Sequence, residues 1–193
     1  MNKKAIIIHG WEGSPEEPMI FWLKTKLEKN NFEVIAPQMP NPEEPTINEW
    51  IQKIKEISSS PDENTYFIGH SIGCQAILRY LETIENKKIK AAVFIAPWIK
   101  LNEEKIKEEG EDVLETAKPW IETPINFEKI KSVLENITCI FSSNDYYVPL
   151  EENKEIFEKN LGAKIIIEEN KGHFTKDDRV TENQTALKEI LSF

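Results

Sequence analysis

Six short apolar runs, separated by stretches with helical patterning, constrain this chain more than any other feature. They fall at residues 5–8, 32–36, 64–69, 89–96, 137–142 and 163–167. Each is rich in Ile, Val, Phe or Ala and too short for a helix, the pattern of a strand covered on both faces. Between them lie amphipathic patterns that end near residues 30, 57, 81, 134 and 160, and a last one reaches Leu191. Strands alternating with helices require a mainly parallel sheet with right-handed crossovers, an α/β chain built as a three-layer α/β/α sandwich. Ser14 with Glu17, Thr46 with Glu49 and Thr181 with Gln184 read as helix-opening capping pairs, and Pro15 and Pro18 suit a first helical turn. Residues 99–122 break the alternation: Lys and Glu dominate, and the segment reads as a charged insertion or partial lid.

The third run delivers Phe67-Ile68-Gly69-His70-Ser71-Ile72-Gly73 into the helical pattern that starts at Cys74. A serine between two glycines at a strand-to-helix junction is a nucleophile elbow, where any Cβ at the glycine positions would strike the neighbouring strand or helix. In open α/β sheets reactive groups collect beyond the carboxyl ends of strands. In this chain those places hold His9-Gly10-Trp11, Ser71, Pro97-Trp98, Asp145-Tyr146 and Gly172-His173-Phe174. A serine hydroxyl needs a base within hydrogen-bond reach and a carboxylate to hold that base's tautomer. Of three histidines only His173 lies after Ser71 with an aspartate between them, while His9 and His70 read as packing or supporting residues. Asp112 and Asp145 are the aspartates between Ser71 and His173, and Asp112 lies in the charged segment, so Asp145 is preferred. The resulting order of nucleophile, acid and base is that of α/β-hydrolases. An oxyanion needs backbone donors: the N–H of Ile72 supplies one, and Trp11 the second, with Glu12 and Gly13 as alternatives. Trp98, Tyr146 and Phe174 are candidates for the wall of an acyl pocket, with Trp11, and Trp120 reads at least as well as core.

With 193 residues the chain suits one domain, residues 1–193. A formal charge of −10 excludes a phosphate-backbone partner and disfavours acidic membrane surfaces. No apolar stretch approaches the length of a membrane span, and the four-residue run before His9 is too short for a secretory leader, so a cytoplasmic location is expected. Cys74 and Cys139 lack metal-ligand spacing and read as small buried hydrophobes.

Together His9-Gly10-Trp11-Glu12-Gly13-Ser14, Met39-Pro40-Asn41-Pro42 with Trp50, the Gly69 to Gly73 elbow, Asp145-Tyr146-Tyr147-Val148-Pro149 and Gly172-His173-Phe174 resemble the small serine hydrolases of the retinoblastoma-binding protein nine type. The resemblance implies a minimal α/β-hydrolase fold, lacking the first two strands of larger relatives, with strand order 2-1-3-4-5-6 and Ser71, Asp145 and His173 as triad. The Leu-x-Cys-x-Glu motif behind the family's name has no counterpart, since Ile72 and Ile137 stand at the leucine position before Cys74 and Cys139 and no glutamate follows. No retinoblastoma-type partner is carried over. The expected function is hydrolysis of a small ester, thioester or amide through an acyl-enzyme on Ser71, with no metal or cofactor. The competing expectations are a non-catalytic interaction module on a hydrolase scaffold and an acyltransferase or perhydrolase using the same residues.

Overall fold

The computed structural model describes residues 3–193; Met1 and Asn2, the start of the stretch weighed above as a leader, lie outside the described residues. Six strands form one sheet: β1 (Lys3–Ile8), β2 (Phe32–Ile35), β3 (Thr65–His70), β4 (Ile89–Ile95), β5 (Leu134–Ser142) and β6 (Lys164–Glu168). Their spatial order is β2-β1-β3-β4-β5-β6, and each neighbouring pair runs parallel. The order places β1 and β3 side by side, with Ile8 level with Gly69, so the first loop faces the elbow.

Alternation along the strands divides the core in two. Ile6 and Ile8 of β1, Phe67 of β3 and Phe94 of β4 point into one apolar layer. Ala5, Ile7, Ile68, Val93 and Ile95, the residues between, point into the other. The first layer is covered by α2 (Ile47–Ser58), α3 (Ile72–Leu81), α6 (Phe127–Val133) and α7 (Leu150–Leu161), through residues such as Trp50, Ile54, Ile77 and Phe157. The second is covered by α1 (Pro18–Lys29) and α8 (Gln184–Ser192), through Ile20, Leu23, Leu27, Ala186 and Ile190. This is the three-layer sandwich required by strands that are apolar on both faces.

Residues 99–122 differ from a loosely structured insertion. They hold two helices, α4 (Glu103–Glu109) and α5 (Glu111–Glu122), which bury Ile106, Leu114 and Ala117 together and seat Trp120 in the main core. The acids and lysines that obscured their periodicity lie outward, in pairs such as Lys105–Glu108 at 2.8 Å. Arg79 of α3 is buried beneath α5 and donates to the carbonyls of Trp120 (2.9 Å) and Thr123 (2.8 Å), closing the helix's carboxyl end.

The Pro-rich loop after β2 offers carbonyls but few N–H groups, and three indoles satisfy it. Trp50 donates to Pro40 O (2.8 Å), Trp11 to Glu43 O (3.0 Å) and Trp120 to Pro45 O (2.9 Å).

Of the three capping pairs, Thr46 and Glu49 open α2 as expected, with the Thr46 hydroxyl accepting from Glu49 N–H. Ser14 does not cap α1. Glu17 stands at that position without a side-chain cap, Pro18 begins the helix, and Ser14 through Glu17 instead form a turn closed by Glu17 N–H to Ser14 O. Thr181 likewise yields to Asn183, whose side-chain oxygen accepts from Ala186 N–H at 2.7 Å. Asparagine is the stronger cap, and its fit shifts the helix start by two residues. Accordingly, Asn183→Ala should lower stability by about 1 kcal/mol in urea unfolding, while Thr181→Ala stays within about 0.5 kcal/mol of wild type.

Candidate active site

The elbow owes its shape to two close approaches. A Cβ on Gly73 would lie 2.5 Å from Ile8 O, and one on Gly69 would lie 2.8 Å from the backbone of Cys74. Between them Ser71 takes φ 52° and ψ −122°, a strained conformation for a residue with a side chain, pinned by its N–H to Ile95 O at 2.9 Å. Glu12, Ala96 and Phe174, also at positive φ, lie in the loops that leave β1, β4 and β6. Four residues with strained backbone thus lie around this end of the sheet.

At that end the structure brings Ser71, His173 and Asp145 into one row. The Ser71 hydroxyl lies 2.8 Å from His173 Nε2, and His173 Nδ1 lies 2.8 Å and 3.1 Å from the two Asp145 carboxylate oxygens. The geometry fits an imidazole that accepts from serine and donates to the carboxylate. Asp145 Oδ1 also accepts from Tyr147 N–H (3.0 Å) and Val148 N–H (3.1 Å), which fixes its orientation. The loops carrying Asp145 and His173 are joined in turn. Lys171 N–H donates to Ser142 Oγ (3.0 Å) and Gly172 N–H to Asn144 Oδ1 (2.9 Å).

A cavity of about 440 Å³ opens on Ser71 and His173, between the sheet end and α4. Trp11, Trp98, Tyr146 and Tyr147 contribute to its walls, and Glu17 and Glu109 are among its carboxylates. Tyr147 stands edge-on to His173 (5.2 Å between ring centres) and donates to Glu109 at the end of α4 (2.9 Å). Burial, reinforced by Glu109, pushes the Tyr147 phenol well above its ordinary range. Burial raises the Glu17 carboxyl, partly countered by Lys176 and His173. Phe174 does not reach this cavity. Its positive φ turns it into the apolar layer beneath α1 and α8, where it is fully buried, which corrects its expected place in the pocket wall. A wider cleft of about 910 Å³ lies near Ser60, Lys87 and Ser132, at the amino ends of the strands, away from the serine and histidine.

In the first loop, Glu12 N–H donates to Pro42 O (2.8 Å) and Gly13 N–H to Gly10 O (3.2 Å). Both alternatives to Trp11 are thereby committed to backbone carbonyls. His9 is a buried brace: its Nδ1–H donates to Gly10 O (2.8 Å) and its Nε2 accepts from Met39 N–H (3.0 Å), and burial lowers its pKa. Cys74 and Cys139 are buried, and desolvation pushes both thiols well above their usual range, as inert core groups require.

The family model described as serine hydrolase matches residues 5–189. The chain belongs to the serine hydrolase family. It is 26% identical over 182 residues to YdeN of Bacillus subtilis, described as a hydrolase, covering 94% of this chain and 90% of that protein. It is 29% identical over 170 residues to the serine hydrolase RBBP9 of Rattus norvegicus, covering 88% and 80%. The crystal structure of the Bacillus subtilis ydeN gene product superposes with a TM-score of 0.88 at 25% identity, over 98% of this chain and 97% of that one. Est1E from Butyrivibrio proteoclasticus, solved with ferulic acid bound, shares the fold at a TM-score of 0.73 and 17% identity, over 98% and 88%. Among the described residues no helix is long and apolar enough to cross a membrane.

The sequence reads His70 as a packing or supporting residue, and the structure makes it a supporting one. Its Nε2–H donates to His173 O (2.8 Å), and its buried Nδ1 has no partner among the described residues. Burial, followed by the charge of His173, lowers its pKa from 6.5 to about 4. Between these values the unfolded chain binds the proton and the folded chain does not, so stability falls as pH drops from about 6.5 to about 4. Replacing His70→Gln should remove about 3 kcal/mol of that fall, read from urea unfolding across the same pH range. Parallel wild-type and variant curves would contradict the assignment.

Proposed function

We propose that this serine hydrolase cleaves a small ester, thioester or amide through an acyl-enzyme on Ser71, with His173 as general base and Asp145 as its orienting carboxylate. The observation that carries the reading is the hydrogen-bonded row Ser71–His173–Asp145 at the mouth of a cavity. His173 Nε2 takes the Ser71 proton as Oγ attacks the carbonyl carbon, and Asp145 stabilises the imidazolium. In this reading the N–H of Ile72, the first residue of α3, and that of Trp11 are the two donors to the developing oxyanion. The imidazolium then protonates the leaving group. In the second half-reaction His173 activates water, which releases the acid and restores Ser71. These steps need no metal or cofactor.

Aromatic walls from Trp11, Trp98 and Tyr146 favour an apolar acyl group. The carboxylates of Glu12, Glu17, Glu109 and Asp177 outnumber the one lysine of the lining, Lys176, and the whole chain carries −10. Such a field repels a polyanionic leaving group, so a neutral or amine-bearing ester is the preferred substrate over a phosphate-rich thioester. A small substrate, in the cytoplasm, completes the reading.

A panel of p-nitrophenyl esters of rising acyl length, with an anilide control and matched cationic, neutral and anionic members, tests this. The expected outcome is a maximum of kcat/KM at one chain length, with the anionic ester slowest. Ser71→Ala should lose turnover, and Asp145→Asn should retain the fold with kcat reduced by roughly three to four decades. Turnover undiminished in Ser71→Ala would overturn the reading.

A further inference from the structure

The base is held through its backbone as well as its ring. His173 N–H donates to Asp178 Oδ2 at 2.8 Å, and His173 O accepts from His70 Nε2–H at 2.8 Å. We propose that Asp178 and His70 are positioning residues that clamp the main chain of His173 from its two sides and so set the alignment of its imidazole with Ser71. The inference rests on His173 being the general base.

Each arm of the clamp is built into its surroundings. Asp178 Oδ2 also accepts from Thr175 N–H (3.1 Å) and Thr175 Oγ–H (2.8 Å), while Asp178 N–H donates back to Thr175 Oγ (3.3 Å). The carboxylate therefore closes a tight turn directly after the histidine. Gly172 makes room for it: at φ +53° a Cβ there would fall 1.9 Å from Asp178 Oδ1. A glycine before His173 is thus explained by a carboxylate five residues after it. The other arm belongs to the elbow. His70 ends β3 and immediately precedes Ser71, its ring is buried, and the two imidazoles lie 5.3 Å apart between centres. A displacement of the strand that carries the nucleophile is transmitted to the loop that carries the base, so the two keep their distance.

Because misplacement of a reacting group by about 1 Å can cost on the order of 100-fold in rate, loss of one arm should act on kcat while leaving binding intact. The test uses the full chain, steady-state hydrolysis of the best p-nitrophenyl ester, and the proton NMR signal of His173 Nδ1–H, which reports its bond to Asp145. Asp178→Ala should lower kcat by about 10- to 100-fold with KM within about twofold, and should broaden the Nδ1–H signal. Asp178→Asn, which keeps an oxygen acceptor, should restore kcat to within about threefold and restore the sharp signal. Gly172→Ala, which drives the carboxylate away, should reproduce the alanine phenotype. If Asp178→Ala does not fold, His70→Leu against His70→Gln makes the same comparison from the elbow side. A folded Asp178→Ala with wild-type kcat and a sharp Nδ1–H signal would overturn the clamp, as would equal losses in the alanine and asparagine variants. If the wild type hydrolyses no ester, the proposed activity fails by itself, and the NMR signal in wild type and Asp178→Ala still decides the clamp.

Discussion

The contact on which the site depends is the approach of the first turn of α3 to the ends of β1 and β3. It is closer than any side chain allows, with Ile8 O and His9 O within 2.6 Å of where a Gly73 Cβ would sit. That approach forces Ser71 into positive φ, lifts its hydroxyl out of the sheet and leaves the N–H of Ile72 at the free end of a helix. A helix displaced outward by a methyl group would relax the turn and lose both placements together. The parallel order of the sheet makes the approach possible, because β1 and β3 are neighbours and α3 must cross back over them.

Around this contact the chain spends its polar groups on loops. Three indoles hold the Pro-rich segment that supports the first loop, and His9 ties that loop to Met39. Asn153 of α7 holds the segment after β4, accepting from Ile99 and Lys100 N–H and donating to Lys100 O and Pro149 O. Such buried, satisfied side chains make irregular backbone rigid around Glu12, Ser71, Ala96 and Phe174, all at positive φ. The helices α4 and α5 complete the arrangement: Ile106 and Val113 line the cavity while Arg79 anchors their far end to α3.

What was legible in the sequence follows from the range of each signal. The six strands were readable because residues such as Ile6, Ile7 and Ile8 fill both faces, and the elbow because Gly69 and Gly73 answer to local sterics. Ser71, Asp145 and His173 could be singled out by their places at strand ends, and these side chains now lie in one hydrogen-bonded row. Competition between neighbours was less readable. Asn183 outcompeted Thr181 as a cap, and Phe174 turned into the core because its backbone leaves β6 at positive φ. The helices at 103–122 were hidden because charged residues occupy most of their positions and Ile106, Leu114, Ala117 and Trp120 are the residues they bury. Asp178 was missed for a different reason: its bond to His173 is made with a backbone N–H, which leaves no trace in the identity of that residue, and only the glycine at 172 answers to it.

The central claim is that Ser71 carries the acyl group between two half-reactions. Mixing the protein with a slowly hydrolysed p-nitrophenyl ester, quenching in acid and measuring the mass of the intact chain and its peptides tests it most directly. The account predicts one acyl mass per chain, confined to the peptide that contains Ser71 and absent from Ser71→Ala. An acyl adduct on any other peptide, or one that persists in Ser71→Ala, would contradict it.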